Sequence, residues 1–115
     1  MNNKRRVARK RPEVNLRVTD AMSGDAIGHL GNLSMDGMML IAQSPITDDA
    51  LYQLVFHLPD AHGRLHPIEV GAHQLWSEPP TFKGQAWVGF RFIDVSPDDE
   101  KMLADWLMHA EDFDG

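Results

Sequence analysis

Apolar and polar residues alternate along most of the chain, which is the pattern of β-strands that bury one face. The first alternation begins at Val14 and runs through Val18, and the last places Val88 and Phe92 on one face and Arg91 on the other. Residues that favour turns separate these segments. The pattern predicts six strands, at 14–19, 26–33, 38–42, 51–58, 65–76 and 86–93.

The C-terminal segment changes to the period of a helix. Ser96 suits the N-cap position and Pro97 the first helical position, and acidic residues follow where a helix N-terminus favours negative charge. One apolar stripe then contains Leu103, Trp106, Leu107 and Ala110, at positions i, i+3, i+4 and i+7. A helix of about four turns should pack on the strands. Because an open six-stranded sheet would expose its edges, the sheet is expected to close into a small barrel or sandwich.

Charge is distributed unevenly along the chain. Residues 1–17 carry seven lysines and arginines against one acidic residue, whereas the remainder carries four against 16, so the net charges are +6 and −12. Such asymmetry commonly marks an anionic partner. Residues 1–12 contain too little apolar area to offset the entropy of ordering, so this basic arm is expected to be mobile while nothing is bound. The folded domain is predicted at 13–110, followed by a frayed tail at 111–115.

Several classes of protein are disfavoured by what the sequence lacks. Without cysteine there is no disulfide and no thiolate metal site, which fits a reducing cytoplasm. No apolar run could serve as a signal-peptide core or span a bilayer, so we expect a cytoplasmic protein without membrane insertion. No catalytic or cofactor-binding motif is present, so neither an enzyme nor a cofactor is expected. The chain has six histidines, of which His57, His62, His66 and His73 match no metal-ligand spacing, and no metal site is expected.

Methionine and tryptophan side chains are candidates for the core. Met35, Met38 and Met39 cluster around the turn between the second and third predicted strands and are assigned to the core as filler. Trp76 lies at the end of the fifth predicted strand and has two interpretations. It can pack against its neighbours, or it can offer a flat face on which a nucleobase stacks.

Two short motifs occur in a fixed order in this chain. Arg5 and Arg9 have the spacing Arg-x-x-x-Arg, and one hairpin later Asn32, Ser34 and Gly37 have the spacing Asn-x-Ser-x-x-Gly. Either motif alone is common. In this order, and with six strands and a helix behind them, they resemble the PilZ domain family over essentially the whole chain. The resemblance implies a six-stranded antiparallel β-barrel with a C-terminal helix, and a receptor for cyclic di-GMP that acts through a protein partner.

The arginines would form one side of the nucleotide site. By the family pattern Arg5 and Arg9 are the principal residues and Arg6 is auxiliary. Arginine suits the role because its guanidinium pairs in fork geometry with phosphate oxygens or with guanine O6 and N7. The register Arg6-x-x-x-Lys10 competes, but only Arg5 and Arg9 are both arginine. Lys4 adjoins the motif, at a place that in this family influences whether one nucleotide or an intercalated pair binds.

The turn would form the opposite side of the site. The resemblance implies that Asn32 and Ser34 hydrogen-bond a guanine base or its sugar-phosphate and that Gly37 permits close backbone approach. The basic arm would fold over the nucleotide against this turn, and its ordering would change the surface offered to a partner protein. Trp76 is added as a stacking candidate.

Two other functions remain open on the sequence alone. A nucleic-acid-binding protein could use the basic arm as an electrostatic tail, although the acidic body argues against it. A PilZ-like adaptor could retain the fold without binding nucleotide. The sequence does not identify the protein partner or its pathway.

Overall fold

Six antiparallel strands close into a barrel, and one helix follows them, in the ranges 9–12, 15–79 and 84–109 that the computed structural model describes. The elements are β1 Arg17–Asp20, β2 Ala26–Leu33, β3 Gly37–Ala42, β4 Leu51–Pro59, β5 Leu65–Ser77, β6 Ala86–Val95 and α1 Pro97–His109. The strand order is β1-β2-β3-β6-β5-β4, and β4 pairs back to β1. The predicted six-stranded barrel with a C-terminal helix is therefore confirmed.

The first strand differs most from its predicted bounds. It starts at Arg17 rather than at residue 14, which lies outside the described ranges. Leu16 is already buried, and its carbonyl accepts a hydrogen bond from the Leu30 amide at 2.9 Å, but the regular ladder with β2 is confined to Arg17, Val18 and Thr19. A shift of register between Val18 and Thr19 interrupts even this short pairing. Apolar alternation therefore marks the buried residues correctly but overestimates the length of the ladder.

The barrel interior is filled by the inward-facing side chains of the alternating strands. Phe56, Leu54 and Val70 are fully buried there. Tyr52 and Phe90 meet edge to face, with ring centroids 5.7 Å apart, an arrangement that aromatic pairs favour. Apolar burial of this kind supplies most of the driving force for folding.

Helix α1 covers the barrel beside β4 and β5. Ser96 caps it, because its hydroxyl accepts a hydrogen bond from the Asp99 amide at 3.2 Å. Leu103 and Leu107 are buried beneath the helix, as the apolar stripe predicts. Ala110 lies outside the described ranges. No helix in the part of the chain that the structure describes is long and apolar enough to cross a membrane.

The β4–β5 turn is organised by Asp60. Its carboxylate lies 2.8 Å from Nε2 of His66 and accepts hydrogen bonds from the backbone amides of His62 at 2.8 Å and Arg64 at 3.0 Å. The hydrogen bond with His66, followed by that from the Arg64 amide, lowers the pKa of Asp60 from 3.8 to about 2. Among the described residues, no three His, Asp or Glu side chains gather as a metal site would require.

Candidate ligand-binding site

Strand register brings four residues into one row across the outer surface of the barrel. Asn32 on β2 pairs with Met39 on β3, Met39 pairs with Gly89 on β6, and Gly89 pairs with Trp76 on β5. Two irregularities set this row, one between Leu30 and Asn32 and one between Gln74 and Trp76. Each displaces the residues that follow it, and a shift of one residue exchanges the two faces of a strand.

The chain before β1 joins this row at its β2 end. Lys10 and Leu33 exchange two backbone hydrogen bonds, of 2.8 and 2.9 Å, which fix the segment 9–12 beside the end of β2. Arg9 then donates from Nη1 to Oδ1 of Asn32 at 2.6 Å. A hydrogen bond from a charged donor is stronger than one between neutral groups. The two halves of the predicted motif therefore touch through Arg9 and Asn32.

A cavity of about 230 Å³ opens over this row. Its lining includes the guanidinium-bearing Arg9, the amide of Asn32, the thioether of Met39 and the indole of Trp76. Asn32 is only 6% exposed, and its Nδ2 faces the weak acceptor Sδ of Met39 at 3.9 Å. The cavity thus combines a fixed positive charge, a polar amide and a flat aromatic surface.

Trp76 is held flat against the backbone of Gly89. A Cβ atom added to Gly89 would lie 2.2 Å from both Cε2 and Nε1 of the indole, so only glycine leaves room for the ring. Trp76 remains 44% exposed, so its outer face is open. The indole therefore forms an aromatic shelf at the edge of the cavity.

The β2–β3 turn follows Asn32 by two residues and is held by its own polar groups. Ser34 is fully buried, and its hydroxyl lies 2.9 Å from Oδ1 of Asp36 and 3.2 Å from the carbonyl oxygen of Gly37. The Ser34 amide donates to that same carbonyl at 2.9 Å. The Asp36 carbonyl accepts from the Phe92 amide at 2.8 Å, which ties the turn to β6. In this conformation the Ser34 hydroxyl serves the turn.

Gly37 is required by the approach of β6. A Cβ atom there would lie 2.3 Å from the carbonyl oxygen of Phe90, which is part of a paired strand and cannot move aside. The close backbone approach expected at Gly37 therefore occurs, but its partner in the structure is the neighbouring strand. Gly37 itself is buried.

The structure thus divides the predicted site residues into three groups. Arg9, Asn32 and Trp76 line one cavity together. Ser34 and Gly37 are buried at the β2–β3 turn and do not line this cavity, and their predicted contacts with a ligand remain predictions. Arg5 and Arg6 lie outside the described residues.

Among the cavity residues that the sequence analysis does not assign to the site, Met39 and Gly89 carry a signal that could have identified them. Of the three methionines assigned to the core, only Met38 is buried; Met35 is exposed and Met39 lines the cavity. Strict alternation along β3 separates Met38 from Met39 and would have indicated this. Gly89 supports Trp76, and an isolated glycine inside a strand is a signal of close approach that the sequence does carry.

Comparison with family models gives one family, and comparison with solved structures gives one fold. The model of the PilZ domain family matches residues 3–109. A search of curated protein sequences gives no significant match. Among solved structures, the Bacillus subtilis inhibitor of motility MotI/DgrA superposes with a TM-score of 0.75 at 14% identity, over 93% of this chain and 50% of that one.

Two further solved structures come from complexes with cyclic di-GMP. The PilZ domain of YcgR from Escherichia coli superposes with a TM-score of 0.67 at 18% identity, over 94% of this chain and 92% of that domain. MrkH from K. pneumonia superposes with a TM-score of 0.67 at 18% identity, over 94% of this chain and 52% of that one. The chain therefore spans about half the length of MotI/DgrA and MrkH. At these identities the likeness shows the fold.

Proposed function

The chain belongs to the PilZ domain family, and from this membership and the geometry of the site we propose that it is a cytoplasmic receptor for the bacterial second messenger cyclic di-GMP. It works as a binding module that transmits the presence of the nucleotide to a protein partner, and not as an enzyme. The observation that carries the proposal is the 2.6 Å contact between Arg9 and Asn32 at a cavity that Trp76 also lines.

The groups around the cavity suit a guanine nucleotide. The Arg9 guanidinium has five N–H donors in a planar fork, and only one nitrogen is engaged by Asn32, so others can address a phosphate or the O6 and N7 acceptors of guanine. The Asn32 amide retains donor capacity, because the Met39 sulfur that it faces is a weak acceptor. The exposed indole of Trp76 offers a stacking surface, and such stacking contributes about 1–3 kcal/mol per base.

The remaining motif residues act around this centre. Ser34 and Gly37 hold the turn that positions Asn32. Arg5 and Arg6 add guanidinium groups from the N-terminal side of Arg9. Closing that basic segment over the nucleotide against the turn alters the surface presented to a partner protein, which is how binding becomes a signal.

Isothermal titration calorimetry with cyclic di-GMP tests the proposal. The parent protein should release heat on binding, and Arg9→Ala should bind about ten- to a hundredfold more weakly, because hydrogen bonds to a charged group contribute about 1.5–3 kcal/mol. Arg64→Ala is the matched control, since it removes an identical charge from the exposed β4–β5 turn and should bind like the parent. No heat from the parent, or equal affinity in Arg9→Ala, overturns the proposal.

Binding measurements on the same protein distinguish the two alternative functions, which are nucleic-acid binding and an adaptor that binds no nucleotide. A nucleic-acid-binding protein would bind single-stranded oligonucleotides with an affinity that falls steeply as salt is raised, and it would depend little on Asn32. An adaptor that has lost the nucleotide would bind neither ligand while keeping a folded barrel.

A further inference from the structure

A second cavity adjoins the first on the same face of the barrel. Its volume is about 330 Å³, and its lining includes Arg11, Asn15, His29 and Trp87. Met39 lines both cavities. The sequence motifs do not point to this cavity, and the proposed function does not use it.

Strand register explains why the two cavities are neighbours. His29, Ile41 and Trp87 pair in one row across β2, β3 and β6. This row lies two residues along β3 from the Met39 row that carries the first cavity. Residues two apart on a strand face the same side and are separated by roughly 7 Å. The two cavities therefore open side by side, with the flexible side chain of Met39 between them.

The segment before β1 supplies one arginine to each cavity. The bridge between Lys10 and Leu33 fixes the backbone of 9–12, and Arg9 and Arg11 flank it. Arg9 lines the first cavity and Arg11 the second. Each cavity thus has one guanidinium and one partly exposed tryptophan, Trp76 in the first and Trp87 in the second.

Both cavities are small for a whole cyclic dinucleotide. Pockets that enclose drug-sized ligands measure about 300–1,000 Å³. The first cavity lies below that range and the second lies at its lower end. Cyclic di-GMP consists of two identical halves, each with one guanine and one phosphate. The repetition of arginine and tryptophan on the protein matches the repetition in the ligand.

We infer that one molecule of cyclic di-GMP lies across Met39 and places one guanine against Trp76 and the other against Trp87. This inference rests on the proposed function and adds a second base site to it. In the second cavity the Arg11 guanidinium has the donor geometry for a phosphate or for guanine O6 and N7, and Asn15 and His29 supply further polar groups at the rim. Met39 suits the position between the bases because its thioether chain adapts to either neighbour.

Calorimetry on a single variant tests the second base site. Trp87→Leu keeps an apolar side chain on β6 but removes the aromatic face, and its affinity for cyclic di-GMP should fall about five- to a hundredfold. Ile93→Ala is the matched control, because Ile93 is exposed on the same strand and lines neither cavity, and it should bind like the parent. One nucleotide should bind per chain.

A second measurement on the parent protein does not depend on the variant folding. In ¹⁵N-labelled protein, addition of cyclic di-GMP should shift the indole N–H resonances of Trp76 and Trp87, whereas that of Trp106 on α1 should stay in place. Single Trp→Phe variants assign the three signals. Movement of both signals at one nucleotide per chain supports the inference.

The possible failures are distinguishable. If the parent binds no cyclic di-GMP, the proposed function itself is wrong and the base site falls with it. If the parent binds but the Trp87 indole does not move, or Trp87→Leu binds as tightly as the parent, the second base site is wrong while the receptor function stands. A stoichiometry of two nucleotides per chain also overturns it, because the second cavity would then take a separate ligand.

Discussion

Ser34 can act by holding the β2–β3 turn or by contacting the nucleotide directly, and substitution of its buried hydroxyl distinguishes these two roles. Replacement of Ser34 by alanine removes the hydrogen bonds to Asp36 and Gly37 without adding volume. The Gly37 carbonyl keeps the hydrogen bond from the Ser34 amide, and the exposed Asp36 carboxylate can turn to water. The loss should therefore be that of one net hydrogen bond, about 1 kcal/mol of the free energy of unfolding. For a domain of this size, that lowers the melting temperature by about 4 °C.

A double-mutant cycle with Asp36 distinguishes the turn from the ligand as the partner of Ser34. We expect Asp36→Ala to destabilise the protein by no more than Ser34→Ala, because the Ser34 hydroxyl keeps the Gly37 carbonyl as an acceptor. The double variant Ser34→Ala/Asp36→Ala should cost little more than Ser34→Ala alone, since the hydrogen bond to Asp36 is already lost in that variant. Urea unfolding supplies the free energies, and calorimetry with cyclic di-GMP supplies the affinities. If Ser34 acts through the turn, both single variants weaken binding, and each does so in proportion to its loss of stability.

The opposite pattern would refute this reasoning. In that pattern Ser34→Ala would unfold like the parent but lose nucleotide binding, while Asp36→Ala would keep binding. This result would show that the hydroxyl leaves the turn to contact the ligand directly. Asp94→Ala is a suitable control for removal of an exposed carboxylate elsewhere on the barrel.

Three further predictions follow from close contacts and from charge. Gly37→Ala should lower the free energy of unfolding by about 1–3 kcal/mol, because the new methyl meets a backbone carbonyl of β6 that cannot move aside. Chemical denaturation checks this, and a variant as stable as the parent would contradict it. Gly89→Ala should instead displace the partly exposed Trp76 ring and weaken cyclic di-GMP binding about five- to a hundredfold, and an unchanged affinity would rule out the aromatic shelf. Asp60 has a folded pKa of about 2 against 3.8, so its stabilising contribution is complete above pH 3.8 and is lost as the pH falls towards 2. The melting temperatures of the parent and of Asp60→Asn should therefore converge between pH 4 and pH 2, and a constant difference would contradict the assignment.

Most of the architecture could be predicted because apolar alternation reports which residues the strands bury. The six strands, the Ser96 cap and the buried stripe of α1 all follow from local rules that act within one element. The register between strands depends on two irregularities. The one between Leu30 and Asn32 falls at Gly31, a residue type that signals a bulge within a strand, whereas the one between Gln74 and Trp76 has no such signal in the sequence. For that reason the strands could be predicted but the row that builds the cavity could not.

The motif predicts which residues gather better than it predicts the contacts that each residue makes. Asn32 and Ser34 stand two apart, so alternation predicts one common face for both side chains. Ser34, however, comes after the last residue of β2, where the chain turns inward and the ladder no longer fixes its direction. The motif predicts that Gly37 admits a ligand; the structure shows that Gly37 admits the neighbouring strand, and the contact with a ligand remains a prediction. Spacing cannot distinguish these roles, because both need the same residue.

The pairing of Lys10 with Leu33 has a mechanical consequence. It consists of two hydrogen bonds, with a net contribution of about 2 kcal/mol, and it attaches the N-terminal side of the chain directly to the last residue of β2. Tension or torque applied ahead of Arg9 would therefore reach the β2–β3 turn without passing through the barrel core, and a modest pull would be enough to undo the bridge. A fluorescent reporter joined to the N-terminal side should sense the nucleotide, while the same reporter joined behind α1 should be far less responsive.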